Sequence, residues 1–89
     1  ACEHENVKPD MVTIGKALSG GMYPVSAALA SKEIMNVFTP GDHGSTYGGN
    51  PLGCAVAREA LRVIVDEKLC ERAEQLGDYL MNQLHKIES

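Results

Sequence analysis

Apolar and polar positions change rhythm several times along the chain, and each change marks an element. Residues 1–10 are polar and close on Lys8-Pro9-Asp10, a turn signal. Met11-Val12-Thr13-Ile14 is a short β-branched run halted by Gly15, which predicts a buried strand. Residues 15–23, rich in glycine and serine, predict a loop. Pro24 to Ala30, with Val25, Ala27, Ala28 and Leu29, predicts a second strand of small, closely packed residues. Ser31 suits the N-cap of a short helix carrying Ile34, Met35, Val37 and Phe38, which ends before Thr39-Pro40-Gly41.

The next stretch, GDHGSTYGGNP at residues 41–51, holds four glycines and no apolar core of its own. Asn50 as N-cap and Pro51 at the first helical position open a second helix. Its stripe of Leu52, Val56, Ala60, Val63 and Ile64 runs to about Val65. A polar break at Asp66-Glu67-Lys68 precedes a last helix with Leu69, Ala73, Leu76, Leu80, Leu84 and Ile87 on one face. Glu71, Arg72, Glu74, Gln75, Asp78 and Lys86 occupy the other. The order strand, loop, strand, helix, loop, helix, helix defines an α/β chain. Two strands and two striped helices leave apolar surface uncovered, so more of a sheet is expected around them. The abrupt start at ACEHENVKPD and the stop at HKIES in a helical turn fit a piece of a larger protein.

Composition narrows the choices. The 89 residues are 44% hydrophobic and 22% charged, ordinary for a globular chain. A net charge of −4 without a basic stripe argues against nucleic-acid binding. The longest uncharged stretch, Ala17 to Ser31, contains glycines, a proline and hydroxyls and is no membrane span. Cys2, Cys54 and Cys70 are widely spaced and form no zinc pattern with His4, His43 and His85. They read as buried or incidental free thiols of a reducing compartment, and no metal site is expected.

Two segments carry candidate chemistry. Lys16 follows the carboxyl end of the first strand, where α/β folds place their sites, and Ala17, Ser19, Gly20 and Gly21 beside it leave room for a flat ligand. A P-loop is excluded because the glycine spacing and the hydroxyl after the lysine are absent. Lysines in general end in solvent, yet an isolated lysine in a partly desolvated slot suits imine formation with an aldehyde. The second segment presents the Ser45 and Thr46 hydroxyls and flexible amides just before a helix N-terminus. That combination suits an anion such as a phosphate, and equally a plain turn capped by Asn50. Tyr23 reads as a packing residue, His43 as a loop residue, and Arg58 and Arg62 as solvated helix residues.

Taken together, GKALSGGMYPVSAAL and, thirty residues beyond the lysine, HGSTYGGNPLGCAVA resemble the class III pyridoxal-phosphate aminotransferases. The likeness runs from about Asn6 to the last helix. The STYGGNP run is shared across the class, and the SGGMYPVSA segment is closest to its ornithine-type members. The resemblance implies a fragment of the large domain of a type I transferase, spanning 1–89 and running into the helix that leads toward a C-terminal small domain. It implies pyridoxal 5′-phosphate held by Lys16 as a Schiff base, with the freed amine acting as a base, and a phosphate gripped by Ser45 and Thr46. It also implies a homodimer in which the Thr46 loop reaches the partner subunit's cofactor.

On the same resemblance the reaction is δ-amino transfer from L-ornithine to 2-oxoglutarate, giving glutamate 5-semialdehyde. Acetylornithine, 4-aminobutyrate or an internal amine shift in glutamate 1-semialdehyde are the alternatives. The family's pyridine-nitrogen aspartate, its stacking ring and its substrate-binding residues are absent from these 89 residues, so the segment alone is expected to be inactive. The compartment is the cytosol or the mitochondrial matrix. A different class of reading is a helical interaction module docking through Leu69, Leu76, Leu80, Leu84 and Ile87.

Overall fold

A computed structural model describes residues 2–87. It contains two strands, β1 (Met11–Ile14) and β2 (Ala27–Ala30), and three helices, α1 (Lys32–Met35), α2 (Pro51–Asp66) and α3 (Leu69–His85). A 3-10 turn, Lys16–Ser19, follows β1 at once.

β1 and β2 pair antiparallel in the register Met11 to Ala30, Val12 to Leu29, Thr13 to Ala28 and Ile14 to Ala27. The predicted β1 bounds hold. β2 begins three residues later than the sequence implies, because Pro24 has no N–H to give to a ladder and Tyr23 is tied to the preceding loop. The expectation of a buried β1 is corrected. Its residues alternate exposed and half-buried, Met11 being 55% exposed, since β2 is its only strand neighbour among the described residues.

The caps predicted from sequence form. Ser31 Oγ accepts from the Ile34 N–H at 3.4 Å and starts α1; Asn50 Oδ1 accepts from the Gly53 N–H at 2.8 Å and starts α2. Each cap satisfies an amide that the first helical turn leaves without a partner. α2 ends at Asp66, and Lys68, at a φ of 51°, turns the chain into α3. α3 closes at His85 with Lys86 as its C-cap, earlier than the apolar pattern to Ile87 suggests. Residues 88 and 89 lie outside the described residues.

Packing centres on α2, which contacts both the 3-10 turn and α3. Ala57 is the one buried hydrophobic side chain among the described residues, and Gly53 and Ser19 are buried with it. The stripe on α3 stands in solvent: Leu76, Leu80, Leu84 and Ile87 are all exposed. The radius of gyration is 18.0 Å, against about 12 Å for a compact domain of this length. The accessible surface of 8207 Å² exceeds the roughly 5000 Å² expected of a compact monomer of this mass. The elements are thus well formed, whereas the layers that would cover their apolar faces are not supplied by these residues.

Candidate active site

Lys16 lies two positions beyond the end of β1, is exposed, and has no polar side-chain partner among the described residues. Its φ of 54° is in the left-handed region, which a side-chain-bearing residue adopts at a cost. The turn around it is tight: Leu18 N–H donates to the Gly15 carbonyl at 3.2 Å and Gly20 N–H to the Ala17 carbonyl at 2.9 Å. The expected loop is therefore an ordered 3-10 turn.

The small residues beside Lys16 have a use the sequence did not suggest. Ala17, Ser19, Gly20 and Met22 do not surround the lysine; they line an apolar groove of about 570 Å³ against Val56, Ala60 and Val63 of α2. Gly20 sits at a φ of 65°, which favours glycine; a Cβ there would stand 3.6 Å from that of Ala60, an ordinary contact distance. Lys16 is not among the residues lining this groove. The expected partly desolvated slot around Lys16 is not formed within this chain, where Lys16 is exposed and stands outside the groove that its neighbours line.

Ser19 is the feature that reading by residue type missed. It is 1% exposed, its Oγ donates to the Tyr23 carbonyl, and it accepts from the Tyr23 N–H at 3.1 Å. The available signal was a serine just before a glycine pair, a placement in which hydroxyls bond to nearby backbone. Tyr23 packs as expected: it is half-buried, and its Cε1 lies 3.2 Å from where a Gly53 Cβ would stand.

The glycine-rich segment is exposed from residue 41 through residue 49 and is closed by its own bonds. Asp42 accepts from the Thr39 N–H at 2.7 Å and the Thr39 hydroxyl at 2.8 Å, which holds its carboxyl below the usual range. Ser45 Oγ accepts from the Gly48 N–H at 2.9 Å, and Asn50 Nδ2 donates to the Tyr47 carbonyl at 2.9 Å. Gly41 and Gly49 sit at φ of 99° and 71°. The rings of Phe38 and His43 meet at 6.2 Å between centroids. No hydrogen bond or ion pair links this segment to Lys16 among the described residues, so the two candidate segments are unlinked within this chain.

The remaining polar groups are structural or solvated. Arg62 pairs with Glu59 and, at 2.8 Å, with Asp66 on the exposed face of α2. Hydrogen bonding to Arg62 lowers the Glu59 pKa, and Glu59 in turn raises that of Arg62; such exposed pairs contribute little stability. Cys2, Cys54 and Cys70 are free and exposed, which removes the reading of them as buried thiols. Among the described residues no three His, Cys, Asp or Glu side chains cluster as metal ligands, and no helix is long and apolar enough to cross a membrane.

An amine at a strand end and a hydroxyl-bearing loop ahead of a helix are the chain's two candidate features, and comparison with known proteins gives its family. The family described as aminotransferase class-III matches residues 1–89, and the chain belongs to that family. It is 55% identical over 89 residues to an ornithine aminotransferase of Bacillus anthracis, covering all of this chain and 22% of that protein. The acetylornithine aminotransferase of Elizabethkingia anophelis superposes with a TM-score of 0.90 at 63% identity, over 97% of this chain and 21% of the other. The ornithine aminotransferase of Toxoplasma gondii ME49 gives 0.83 at 54% identity, over 88% and 18%. The chain thus spans about a fifth of the length of these relatives. Class III aminotransferases are enzymes that work with pyridoxal 5′-phosphate, and a T. gondii ornithine aminotransferase structure carries it at the active site.

The residues present fit that cofactor in kind: a primary amine without a polar partner for its aldehyde, and two hydroxyls with exposed amides for its phosphate.

Proposed function

We propose that the full-length protein is an aminotransferase that moves the δ-amino group of L-ornithine to 2-oxoglutarate, releasing glutamate 5-semialdehyde. The observation that carries this reading is an unpartnered Lys16 at the end of β1 in a chain that matches class III aminotransferases from end to end. The ornithine assignment draws on the 55% identity to an ornithine aminotransferase.

In this reading Lys16 Nζ holds the cofactor aldehyde, and Ser45 and Thr46 hold its phosphate. The bound cofactor supplies an electron sink that makes the carbon bearing the substrate nitrogen acidic. With the cofactor bound, Lys16 Nζ would stand tethered beside that carbon and would serve as the base that takes the proton from the δ-carbon. Tethering gives an effective concentration no dissolved amine reaches. Ser45 already accepts from Gly48, which leaves its own proton to donate to an anion. The segment 41–49 finds no cover within its own chain, which supports a homodimer in which it meets the partner subunit's cofactor. Residues 1–89 form part of the cofactor-binding large domain in this scheme. The free, exposed cysteines suit the cytosol or the mitochondrial matrix.

Borohydride reduction of the full-length protein with pyridoxal 5′-phosphate tests the reading. A reduced adduct on Lys16, lost in Lys16→Ala, supports it; a protein with no adduct at Lys16 refutes it. The isolated 89 residues, about a fifth of the relatives' length, are expected to show no transamination. The 63% identity to an acetylornithine aminotransferase favours one second reading, with N-acetylornithine as donor. Semialdehyde release from ornithine and from N-acetylornithine, measured side by side, separates the two.

A further inference from the structure

One hydroxyl closes the turn that carries Lys16. Ser19 satisfies both backbone groups of Tyr23, four residues on, and is itself almost fully buried. The ring it closes contains Gly20 and Gly21, at φ of 65° and 83°. Upstream, the Gly20–Ala17 and Leu18–Gly15 backbone bonds continue the same closed structure to Lys16, whose own φ of 54° persists only where its surroundings impose it. Downstream, the Tyr23 ring rests on the first turn of α2 at Gly53, the residue whose N–H Asn50 caps. The lysine's backbone is therefore anchored to α2 through Ser19 and Tyr23, while its side chain has no partner of its own.

We propose that Ser19 is a positioning residue for Lys16: by clamping Tyr23 it sets the backbone angle at which the lysine leaves β1, and so the line along which its amine meets an aldehyde. This rests on the reading of Lys16 as the cofactor lysine. The step it governs is condensation, in which the amine nitrogen and the aldehyde carbon form a C=N bond and one water leaves. No oxidant or reductant is needed. Removing the hydroxyl frees the Tyr23 N–H and C=O together and releases the turn from the strained angle at Lys16.

The test uses the full-length protein stripped of cofactor. Pyridoxal 5′-phosphate is added, samples are reduced with borohydride at timed intervals across neutral to alkaline pH, and the Lys16 peptide is quantified by mass spectrometry. Ser19→Ala is expected to slow adduct formation on Lys16 roughly ten- to hundredfold per folded molecule, as misplacement of a reacting group does, and to displace its pH midpoint. Ser19→Thr, which restores a hydroxyl, is expected to recover most of the rate. A wild-type rate and pH midpoint in Ser19→Ala, even with a lower melting temperature, would overturn the proposal by reducing Ser19 to a stability residue. Absence of the adduct from the wild-type protein refutes the lysine assignment itself, an outcome visible before any Ser19 variant is read. Should Ser19→Ala not fold, Gly53→Ala, read beside Asn50→Ala as the control for the cap it also presses on, crowds Tyr23 from the α2 side and leaves Ser19 intact. Slowed trapping in that variant supports the proposal, and a wild-type rate overturns it.

Discussion

The Lys16 turn and the segment 41–50 are both short, glycine-bearing and placed between regular elements, yet they are held in opposite ways. The Lys16 turn is clamped by a buried serine and lies against α2, so its backbone is set by tertiary contact within the chain. The segment 41–49 is solvated and, among the described residues, is kept in shape by contacts that reach no more than five positions along the chain. The difference suits a covalent anchor in the first case and an anion cradle completed by another surface in the second. A reacting amine must arrive along one line, whereas a phosphate with several oxygens tolerates a cradle that adjusts.

That contrast can be broken or sharpened by substitution in the full-length protein. The largest effect is expected from Lys16→Ala, which removes the proposed base and should lower kcat by about a thousandfold or more, measured as semialdehyde release. Thr46→Ala should leave the Lys16 adduct intact but weaken cofactor binding by roughly ten- to hundredfold, the worth of a hydrogen bond to a charged group, measured by equilibrium dialysis. If the two effects were reversed in kind, the assignment of amine and cradle would be wrong. Asn50→Ala removes the α2 cap and should cost about 1 kcal/mol of stability, read from a denaturant midpoint.

The smallest effect concerns Asp42, whose pKa is lowered by accepting from the Thr39 N–H and then from its hydroxyl. A carboxyl lowered by folding contributes in full above its unfolded value and loses that contribution as pH falls through the folded one. The protection factor of the Thr39 amide, its exchange measured against the intrinsic rate at each pH, should therefore hold at neutral pH and fall only below the ordinary carboxylate range, and Asp42→Asn should flatten that response. An unchanged profile in Asp42→Asn would assign the protection to the turn's backbone alone.

Much of the fold was legible in local pattern. The β-branched run, the stops at Gly15 and at Asp66-Glu67-Lys68, and the caps Ser31 and Asn50 all depend on chemistry within a few residues, and each formed where expected. Burial was not legible in the same way. Met11 stands in a run that reads as a buried strand and is exposed, while the α3 leucines stand open as the expected uncovered apolar surface, because pattern reports which face is apolar and not whether anything covers it. The candidate site divides along the same line. Lys16, Ser45 and Thr46 stood out by residue type and spacing, whereas Ser19, a polar residue in a loop, carried no sign that it would be the most buried side chain.

The sequence by itself determined the order of elements, their caps and the family, because propensity, capping and motif spacing are properties of neighbouring residues. Only the tertiary structure decided that the turn after Lys16 lies against α2 and that Ser19 holds it. Those facts depend on which distant surfaces meet, and the meeting of the turn with α2 exists only once α2 has folded back onto it.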